Sequence, residues 1–241
     1  MNMENYNNRT FPWLYDEMKQ VGVDYTNVKE IEVYDKQMAK LRDIKQETAS
    51  IIKLLGIKPE HVLIEFGTGT GEFALQVARH CRRVIALDVS VKMLEYAEKK
   101  KKDRGNIGNV DFYQGGFLTY QHTGVPVDFV VSQLALHHLP DFWKQIALKR
   151  IYNLLTEGGR FYLRDTVYSF AVDHYQEFFD QWLSETKVLH GDELARDIET
   201  AIREEYSTCN WIMEGLLTRA GFIIEHVEYT HGFLAQYVCK K

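Results

Sequence analysis

The sequence contains few residues that cross-link a fold or interrupt its elements: three cysteines and four prolines among 241 residues. Cys81, Cys209 and Cys239 are far apart and form no CxxC pair, which argues against a disulfide framework and against a zinc knuckle. We therefore expect a protein of the reducing cytoplasm, whose stability comes from an apolar core that a chain of this length can bury.

Long apolar runs and a large excess of one charge are also missing. No uninterrupted apolar stretch approaches the roughly 20 residues that span a bilayer. The first 18 residues have neither the basic start nor the apolar centre of a secretory signal. The net charge of -5 and the isoelectric point near 6.0 argue against binding of duplex nucleic acid, whose affinity comes mainly from neutralised phosphates. We expect neither a membrane nor duplex nucleic acid as a partner.

The chain does contain a regular alternation of short apolar runs and helical patterns. Runs such as HVLIEF, RVIALDV and PVDFVVSQLAL are typical of strands that are buried on both faces. Two more strand patterns meet at the short turn His231-Gly232 and should pair antiparallel. The sequence predicts an α/β fold: a Rossmann-like, seven-stranded, mostly parallel sheet with helices on both faces and an antiparallel last strand.

A glycine turn, VLIEFGTGTGEFA, follows the first buried run and opens a helix. Its glycines, Gly67, Gly69 and Gly71, lie where a parallel sheet receives ligands, outside the carboxyl ends of the strands. Dinucleotide-binding turns have a third small residue where this chain has Glu72, and no lysine follows to make a phosphate-binding P-loop. Glu65, at the mouth of the turn, disfavours a pyrophosphate and favours a cationic ligand.

Asp88 ends the second predicted strand, 21 residues after Gly67. A carboxylate at that point can accept both hydroxyls of a ribose. Val89 and Met93 follow it and could cover an adenine face. These residues predict a ligand with an adenosine, free ribose hydroxyls and little phosphate, a description that S-adenosylmethionine meets.

Residues 56–165 resemble the class I S-adenosylmethionine-dependent methyltransferases, above all the small-molecule group that includes the ubiquinone and menaquinone C-methyltransferases. The motifs that carry the resemblance are VLIEFGTGTGEFA, VIALDVSVKMLEYA, DFVVSQLALHHLPD and LLTEGGRFYLRD. The closing antiparallel strand pair agrees with the seventh strand of that family. The resemblance covers about two-thirds of the chain.

The resemblance implies S-adenosylmethionine as cofactor, S-adenosylhomocysteine as product, and a set of contact residues. The cofactor-binding residues that we predict are Glu65, Gly67, Thr68, Gly69, Gly71, Asp88, Val89, Met93, Gly116, Phe117, Ser132 and Gln133. One position departs from the family, which usually carries an acidic residue for the adenine amino group where this chain has Gly116. We expect the backbone to make that contact, with Phe117 packing nearby.

The resemblance also implies the organisation of the chain. We predict a single methyltransferase domain, residues 1–241, with an N-terminal helical cap (1–55), a cofactor-binding core (56–168), a helical lid insertion (169–208), and a last helix with the antiparallel strand pair (209–241). The lid is predicted because residues 169–206 contain two amphipathic helical patterns with no strand between them.

His137 and His138 are the candidate acid–base residues, because they follow the fourth strand and histidine titrates near neutral pH. A histidine in this segment can instead simply fix the loop. The Asn/Asp-Pro-Pro-Tyr motif of amide N-methyltransferases is replaced by SQLAL, so we expect transfer to O, C or S in preference to N. The carboxylates of a metal-assisted mechanism are not matched either, so no metal is predicted.

The acceptor should lie between the N-terminal segment and the helical insertion, which offer aromatic and histidine side chains. The predicted pocket residues are Tyr15, Tyr25, Tyr168, His174, Trp182 and Tyr206. As a set they favour a small apolar or aromatic acceptor, although ordinary helix packing would explain each one alone. The protein is expected to act as a monomer or homodimer.

Two alternative functions remain open from the sequence. One is methylation of a tRNA base or modified base, against which the acidic isoelectric point counts. The other is a non-catalytic sensor or subunit that binds S-adenosylmethionine, since the glycine turn and Asp88 serve binding and turnover alike. A dehydrogenase is disfavoured by Glu72.

Overall fold

The computed structural model of the chain describes residues 11–19, 21–22 and 42–241. The strands are, in chain order, β1 (Val62–Phe66), β2 (Arg83–Asp88), β3 (Val110–Gln114), β4 (Val127–Gln133), β5 (Leu155–Tyr168), β6 (Thr208–Cys209), β7 (Ile223–Thr230) and β8 (Leu234–Lys240). The α-helices are α1 (Ile44–Leu55), α2 (Glu72–Val77), α3 (Val91–Asp103), α4 (Asp141–Leu154), α5 (Tyr175–His190), α6 (Asp192–Glu204) and α7 (Asn210–Ala220).

The sheet has the strand order β3-β2-β1-β4-β5-β8-β7. Strands β1 to β5 are parallel, and β8 runs antiparallel between β5 and β7. This confirms the predicted Rossmann-like sheet with an antiparallel last strand. Because the chain leaves β1 in one direction and returns at β4 on its other side, a crevice opens at the carboxyl ends of these two strands.

The core lies on both faces of the sheet, as continuous apolar strands require. Alternate residues of a strand point to opposite faces, so Val62 and Ile64 join one cluster, with residues of α4 and α7. Leu63 joins the other, with residues of α1 and α2. The segment SVKMLEYAEKKKKD predicts a helix with Ser90 as its N-cap, and Ser90 does cap α3: its side chain accepts a hydrogen bond from the backbone N–H of Met93.

Two local expectations were wrong. The run DFWKQIALKRIYNLL predicts a helix that ends at Gly158-Gly159, but the helix ends at Leu154, because Leu155 already pairs with Val127 of β4 and a register shift follows. The segment EEYSTCNWIMEGLL predicts a helix entry capped by Ser207 or Thr208, but Thr208 forms β6 and pairs with Val167 of β5, and Cys209 is the residue that precedes α7. In the part of the chain that the structure describes, no helix combines the length and apolar character needed to cross a membrane.

The glycine turn generates a stability prediction. Gly69 and Gly71 both have positive φ, but a Cβ at Gly71 would lie 2.8 Å from the Phe112 ring and 2.9 Å from Ala97, whereas nothing lies within 4 Å at Gly69. Gly71→Ala should therefore lose about 2–4 kcal/mol of unfolding free energy, from backbone strain and overpacking together. Gly69→Ala should lose about 1 kcal/mol, from strain alone. Urea denaturation measures both, and equal losses would contradict this packing.

Candidate active site

The glycine turn holds its shape through contacts with the neighbouring strand ends. All three glycines have positive φ, and a Cβ on Gly67 would collide with Ala135, in the loop after β4. The backbone N–H of Thr68 donates to the carbonyl of Leu87, at the end of β2, over 2.8 Å. The turn is therefore pressed against the carboxyl ends of β2 and β4, at the crevice of the sheet.

Asp88 ends β2 beside this turn, and both of its carboxylate oxygens are oriented by backbone. Oδ2 accepts from the N–H of Gly69 over 2.7 Å, and Oδ1 accepts from the N–H of Ser90 over 2.9 Å. Burial raises the pKa of Asp88, while these hydrogen bonds oppose the rise. Each carboxylate oxygen has a second acceptor position, so the group can still accept hydroxyls from a ligand.

A cavity of about 170 Å³ lies between Asp88, the glycine turn and the loops after β3 and β4; we call it the Asp88 cavity. The predicted cofactor residues that line it are Gly67, Gly69, Asp88, Val89, Met93, Gly116, Phe117 and Gln133. The other four lie behind its wall: Glu65, Thr68, Gly71 and Ser132 are buried or packed under the turn. The predicted cofactor residues thus make up fewer than half of the lining residues, together with part of the support of the wall.

Glu65 illustrates this support. Its buried carboxylate accepts a hydrogen bond from Thr68 Oγ1 over 2.6 Å. Burial, with the nearby charge of Asp88, raises the pKa of Glu65 to about 8, against the lowering effects of Thr68 and Arg42. A cationic ligand group above the turn would lower that pKa and favour the charged carboxylate.

His137 lies in a 3₁₀ turn, Leu136–His138, and is held between two carboxylates. Its Nδ1 pairs with Asp165 Oδ1 of β5, its backbone N–H donates to Asp165 Oδ2, and its Nε2 is 3.3 Å from Glu205 Oε2, just after α6. Burial alone would lower the pKa of His137, but the two carboxylates outweigh it and raise the pKa to about 10. His137 is therefore a buried cation at neutral pH, a state that favours positioning over proton abstraction.

His138 has the opposite electrostatic state. It lines the Asp88 cavity, and its ring lies 4.4 Å from the His137 ring, centroid to centroid. Burial and then the charge of His137 lower the pKa of His138 to about 4. The two adjacent histidines, equivalent in the sequence, thus become a fixed imidazolium and a neutral imidazole that faces the cavity.

The same two histidines lie close to Glu205, and the three side chains form a group that could hold a metal ion. Among the described residues, His137, His138 and Glu205 form the group whose metal-ligand atoms lie within 4.8 Å of one another. Both nitrogens of His137 already face carboxylates, however. This arrangement favours an ion pair, and the prediction that no metal is used stays a prediction.

The end of the helical insertion is tied to the histidine loop. The backbone N–H of Tyr206 donates to the carbonyl of His137 over 2.9 Å. The buried ammonium of Lys144 bonds the carbonyl of Tyr206 and the Asp141 carboxylate. Thr208 donates from its hydroxyl to the other oxygen of Asp141 over 3.2 Å. These bonds place the exit of the insertion beside the Asp88 cavity.

Two larger spaces adjoin the Asp88 cavity. The lid cleft, about 1200 Å³, lies between α1, α5, α6 and the β7–β8 hairpin. The Tyr168 pocket, about 220 Å³, is lined by Tyr168, Trp182 and Glu205, among others. Leu134 lines all three spaces with a φ of 53°, a strained conformation for a branched residue that is typical of functional sites.

Of the predicted acceptor residues, Tyr15, Tyr168 and Trp182 line these spaces, whereas Tyr206 lines none of the three. Tyr15 lines the Asp88 cavity and packs edge-on against Tyr206 at 6.5 Å. Trp182 lines both larger spaces and stacks on Phe233 at 3.9 Å. His174, by contrast, is exposed near the start of α5, pairs with Glu177, and lines none of these three spaces. Tyr25 lies outside the described residues.

Sequence reasoning missed part of the cavity wall. Glu17, Lys19 and Val21 of the N-terminal segment line the Asp88 cavity, although they are more than 40 residues from the glycine turn in sequence. Gln133 accepts a hydrogen bond from Arg42 over 2.9 Å, which joins the cavity to the floor of the lid cleft. No local pattern distinguishes Glu17, Lys19 and Arg42 from solvated charges, so only the tertiary structure finds their place at these spaces.

The chain is similar to known methyltransferases. A family model described as a methyltransferase domain matches residues 63–159, a range that contains the glycine turn, Asp88 and the histidine loop. The chain is 29% identical over 192 residues to an uncharacterized methyltransferase of Anoxybacillus flavithermus, over 80% of this chain and 78% of that protein. An uncharacterized methyltransferase of Bacillus thuringiensis is 29% identical over 222 residues, 91% of this chain and 92% of that protein.

Solved structures share the fold. A methyltransferase from Aquifex aeolicus, described as dependent on S-adenosylmethionine, has a TM-score of 0.62 and 16% identity, over 89% of this chain and 98% of that chain. Phosphoethanolamine N-methyltransferase 2 of Haemonchus contortus, solved in complex with S-adenosyl-L-methionine, has a TM-score of 0.62 and 19% identity, over 84% of this chain and 43% of that chain. None of these matches confirms the ubiquinone-like subgroup.

The charged state of His137 predicts how stability depends on pH. A histidine whose folded pKa is raised from about 6.5 to about 10 stabilises the fold fully below pH 6.5 and loses that contribution as pH rises towards 10. His137→Gln should remove this dependence. It should also lose about 3–5 kcal/mol of unfolding free energy, because Asp165 is left buried without its cation.

Thermal denaturation between pH 6 and pH 10 measures this effect. The melting temperature of the wild type should fall more steeply over that range than the melting temperature of His137→Gln. His138→Gln is the matched control above pH 8, because His138 is then uncharged in both the folded and the unfolded state, and over that part of the range it should keep the wild-type slope. Identical slopes for the wild type and His137→Gln would contradict the buried imidazolium.

Proposed function

We propose that this class I S-adenosylmethionine-dependent methyltransferase transfers its methyl group to a small apolar or aromatic acceptor, at an oxygen, carbon or sulfur atom in preference to nitrogen. The observation that carries the proposal is the junction of the Asp88 cavity with the two larger spaces at Leu134. A cofactor and a second reactant can therefore meet at one point, which a protein that only binds the cofactor does not need.

The proposed placement of the cofactor follows the polar and apolar parts of the Asp88 cavity. The ribose hydroxyls would bond Asp88, whose oxygens are already oriented by backbone N–H groups. The adenine would lie between Val89, Met93 and Phe117. The methionine part would lie over Gly67, with its positive charges near buried Glu65.

The acceptor would approach from the side of Leu134. The stacked rings of Trp182 and Phe233 border both larger spaces and give them an aromatic wall. The floor of the lid cleft is polar, since Arg42 and Arg164 share the carboxylate of Glu47. A ring-containing acceptor with one polar edge fits these two surfaces. Residues 169–208 would then act as the lid of a single domain.

Catalysis would depend mainly on position, because methyl transfer from a sulfonium is an in-line displacement. His138, the neutral imidazole on the cavity wall, is the proposed group that accepts a hydrogen bond or a proton from the acceptor. His137 would hold the loop that carries His138, through Asp165 and Glu205. It would not itself take the proton, because it already carries one.

Cofactor binding is tested by calorimetric titration with S-adenosylhomocysteine and with NAD. Asp88→Ala should weaken S-adenosylhomocysteine binding by about 10–100-fold, the effect of losing hydrogen bonds to a charged group. Asp111→Ala removes a half-exposed carboxylate paired with Arg83 on the neighbouring strand, outside the cavity, and should change binding less than about twofold. Binding of NAD, or equal affinities in both variants and the wild type, would contradict the placement.

Turnover is tested with labelled S-adenosylmethionine and a panel of phenols, thiols, carbon acids and unmodified tRNA. His138→Gln should lower kcat/KM for the preferred acceptor by about 10²–10⁴-fold. Its affinity for S-adenosylhomocysteine should stay within about threefold of the wild type, since no cofactor contact is assigned to the ring. Full activity of His138→Gln would contradict its proposed role, and transfer to tRNA alone would contradict the small-molecule acceptor.

A further inference from the structure

Glu17 brings a buried carboxylate to the end of the Asp88 cavity at which the adenine is proposed to bind. It is 9% exposed, and it comes from a segment about 100 residues away from the loop that it contacts. Its oxygens accept from the backbone N–H of Leu118, at 2.9 and 3.0 Å, and from that of Thr119, at 2.7 Å. A carboxylate buried with this many bonds has one fixed orientation.

Gly116 leaves the space that this carboxylate occupies. A Cβ at Gly116 would lie 2.5 Å from Cδ of Glu17 and 2.9 Å from its Oε1. Any side chain at this position would therefore have to displace Glu17. Because position 116 has no side chain, the Glu17 carboxylate can occupy this space. The acidic group at this place therefore comes from the N-terminal segment.

The carboxylate has acceptor capacity left towards the cavity. A carboxylate can accept about four hydrogen bonds, and three N–H contacts use part of this capacity, with Oε2 making only the bond to Leu118. Glu17 lines the same cavity as Val89, Met93 and Phe117, whose side chains are apolar. A hydrogen-bond donor of a ligand in this cavity can use the acceptor position that remains.

We propose that Glu17 accepts a hydrogen bond from the exocyclic amino group of the cofactor's adenine, and that residues 11–19 are thereby part of the cofactor site. The proposal rests on the proposed function, since it assumes that the adenosine occupies the Asp88 cavity. An amino group donates to a carboxylate, whereas a base with an oxo group at that position presents a second acceptor. Glu17 therefore selects adenine over hypoxanthine.

The rest of the N-terminal segment is placed to support this contact. Tyr15 donates from its hydroxyl to the carbonyl of His138 over 3.3 Å, and its ring lies 6.2 Å from that of Trp143. At the other end, a Cβ on Gly22 would lie 2.7 Å from Cδ of Glu205, so the chain packs directly on that carboxylate. The segment thus spans the cavity between the histidine loop and the end of the insertion.

The experiment compares the binding of S-adenosylhomocysteine with that of S-inosylhomocysteine, which differs in the exocyclic group of the base. The wild type should prefer the adenine compound by at least about tenfold. In Glu17→Ala the preference should fall below about threefold. Adding Gly116→Asp to Glu17→Ala should restore it, because the shorter acidic side chain then enters the space that Glu17 has left.

Asp16→Ala is the matched control, since Asp16 is an exposed carboxylate of the same segment and bonds only locally, to the N–H of Met18. It should keep the wild-type preference. Glu17→Gln keeps the size of the side chain and serves as the second variant if Glu17→Ala folds poorly. It should also reduce the preference for the adenine compound. An unchanged preference in both Glu17 variants would overturn the inference and leave Glu17 as a structural cap. A wild type that binds neither compound would contradict the proposed function instead.

Discussion

The buried charge of His137 between Asp165 and Glu205 is the interaction on which the site depends. It joins β5, the loop after β4 and the segment that follows α6. Burying one such charge alone would be costly, and removing one partner leaves the others uncompensated. The arrangement therefore fixes the loop that carries Leu134 and His138, and with it the boundary between the Asp88 cavity and the larger spaces.

Close approach of the backbone is the second constraint, and it explains the glycines at positions 67 and 116. Gly67 lets the turn press against Ala135, and Gly116 leaves room for Glu17. In each case a glycine marks a contact between segments that are distant in sequence. The site is thus assembled at the switch point of the sheet from the glycine turn, two loops, the N-terminal segment and the end of the insertion, each held by hydrogen bonds to its neighbour.

The fold was predictable because its signals are local, whereas the site was predictable only in part. Buried strands, the Ser90 cap and the glycine turn with Asp88 are all visible in short windows, and the predicted sheet is confirmed. The early start of β5 at Leu155 was missed, because pairing with β4 overrides the helical pattern before it. Glu17 and Glu205 were missed for a different reason: single acidic residues acquire a role only through partners about 70 or more residues away.

The measurement that tests this account most directly is a crystal structure of the complex with S-adenosylhomocysteine. The account predicts that the ribose hydroxyls lie within about 2.7–3.2 Å of the Asp88 carboxylate. The adenine amino group should lie at a similar distance from Glu17, and the sulfur should lie beside Gln133 and Leu134, open to the lid cleft. A nucleoside bound in the lid cleft over Arg42, with the Asp88 cavity unfilled, would contradict it.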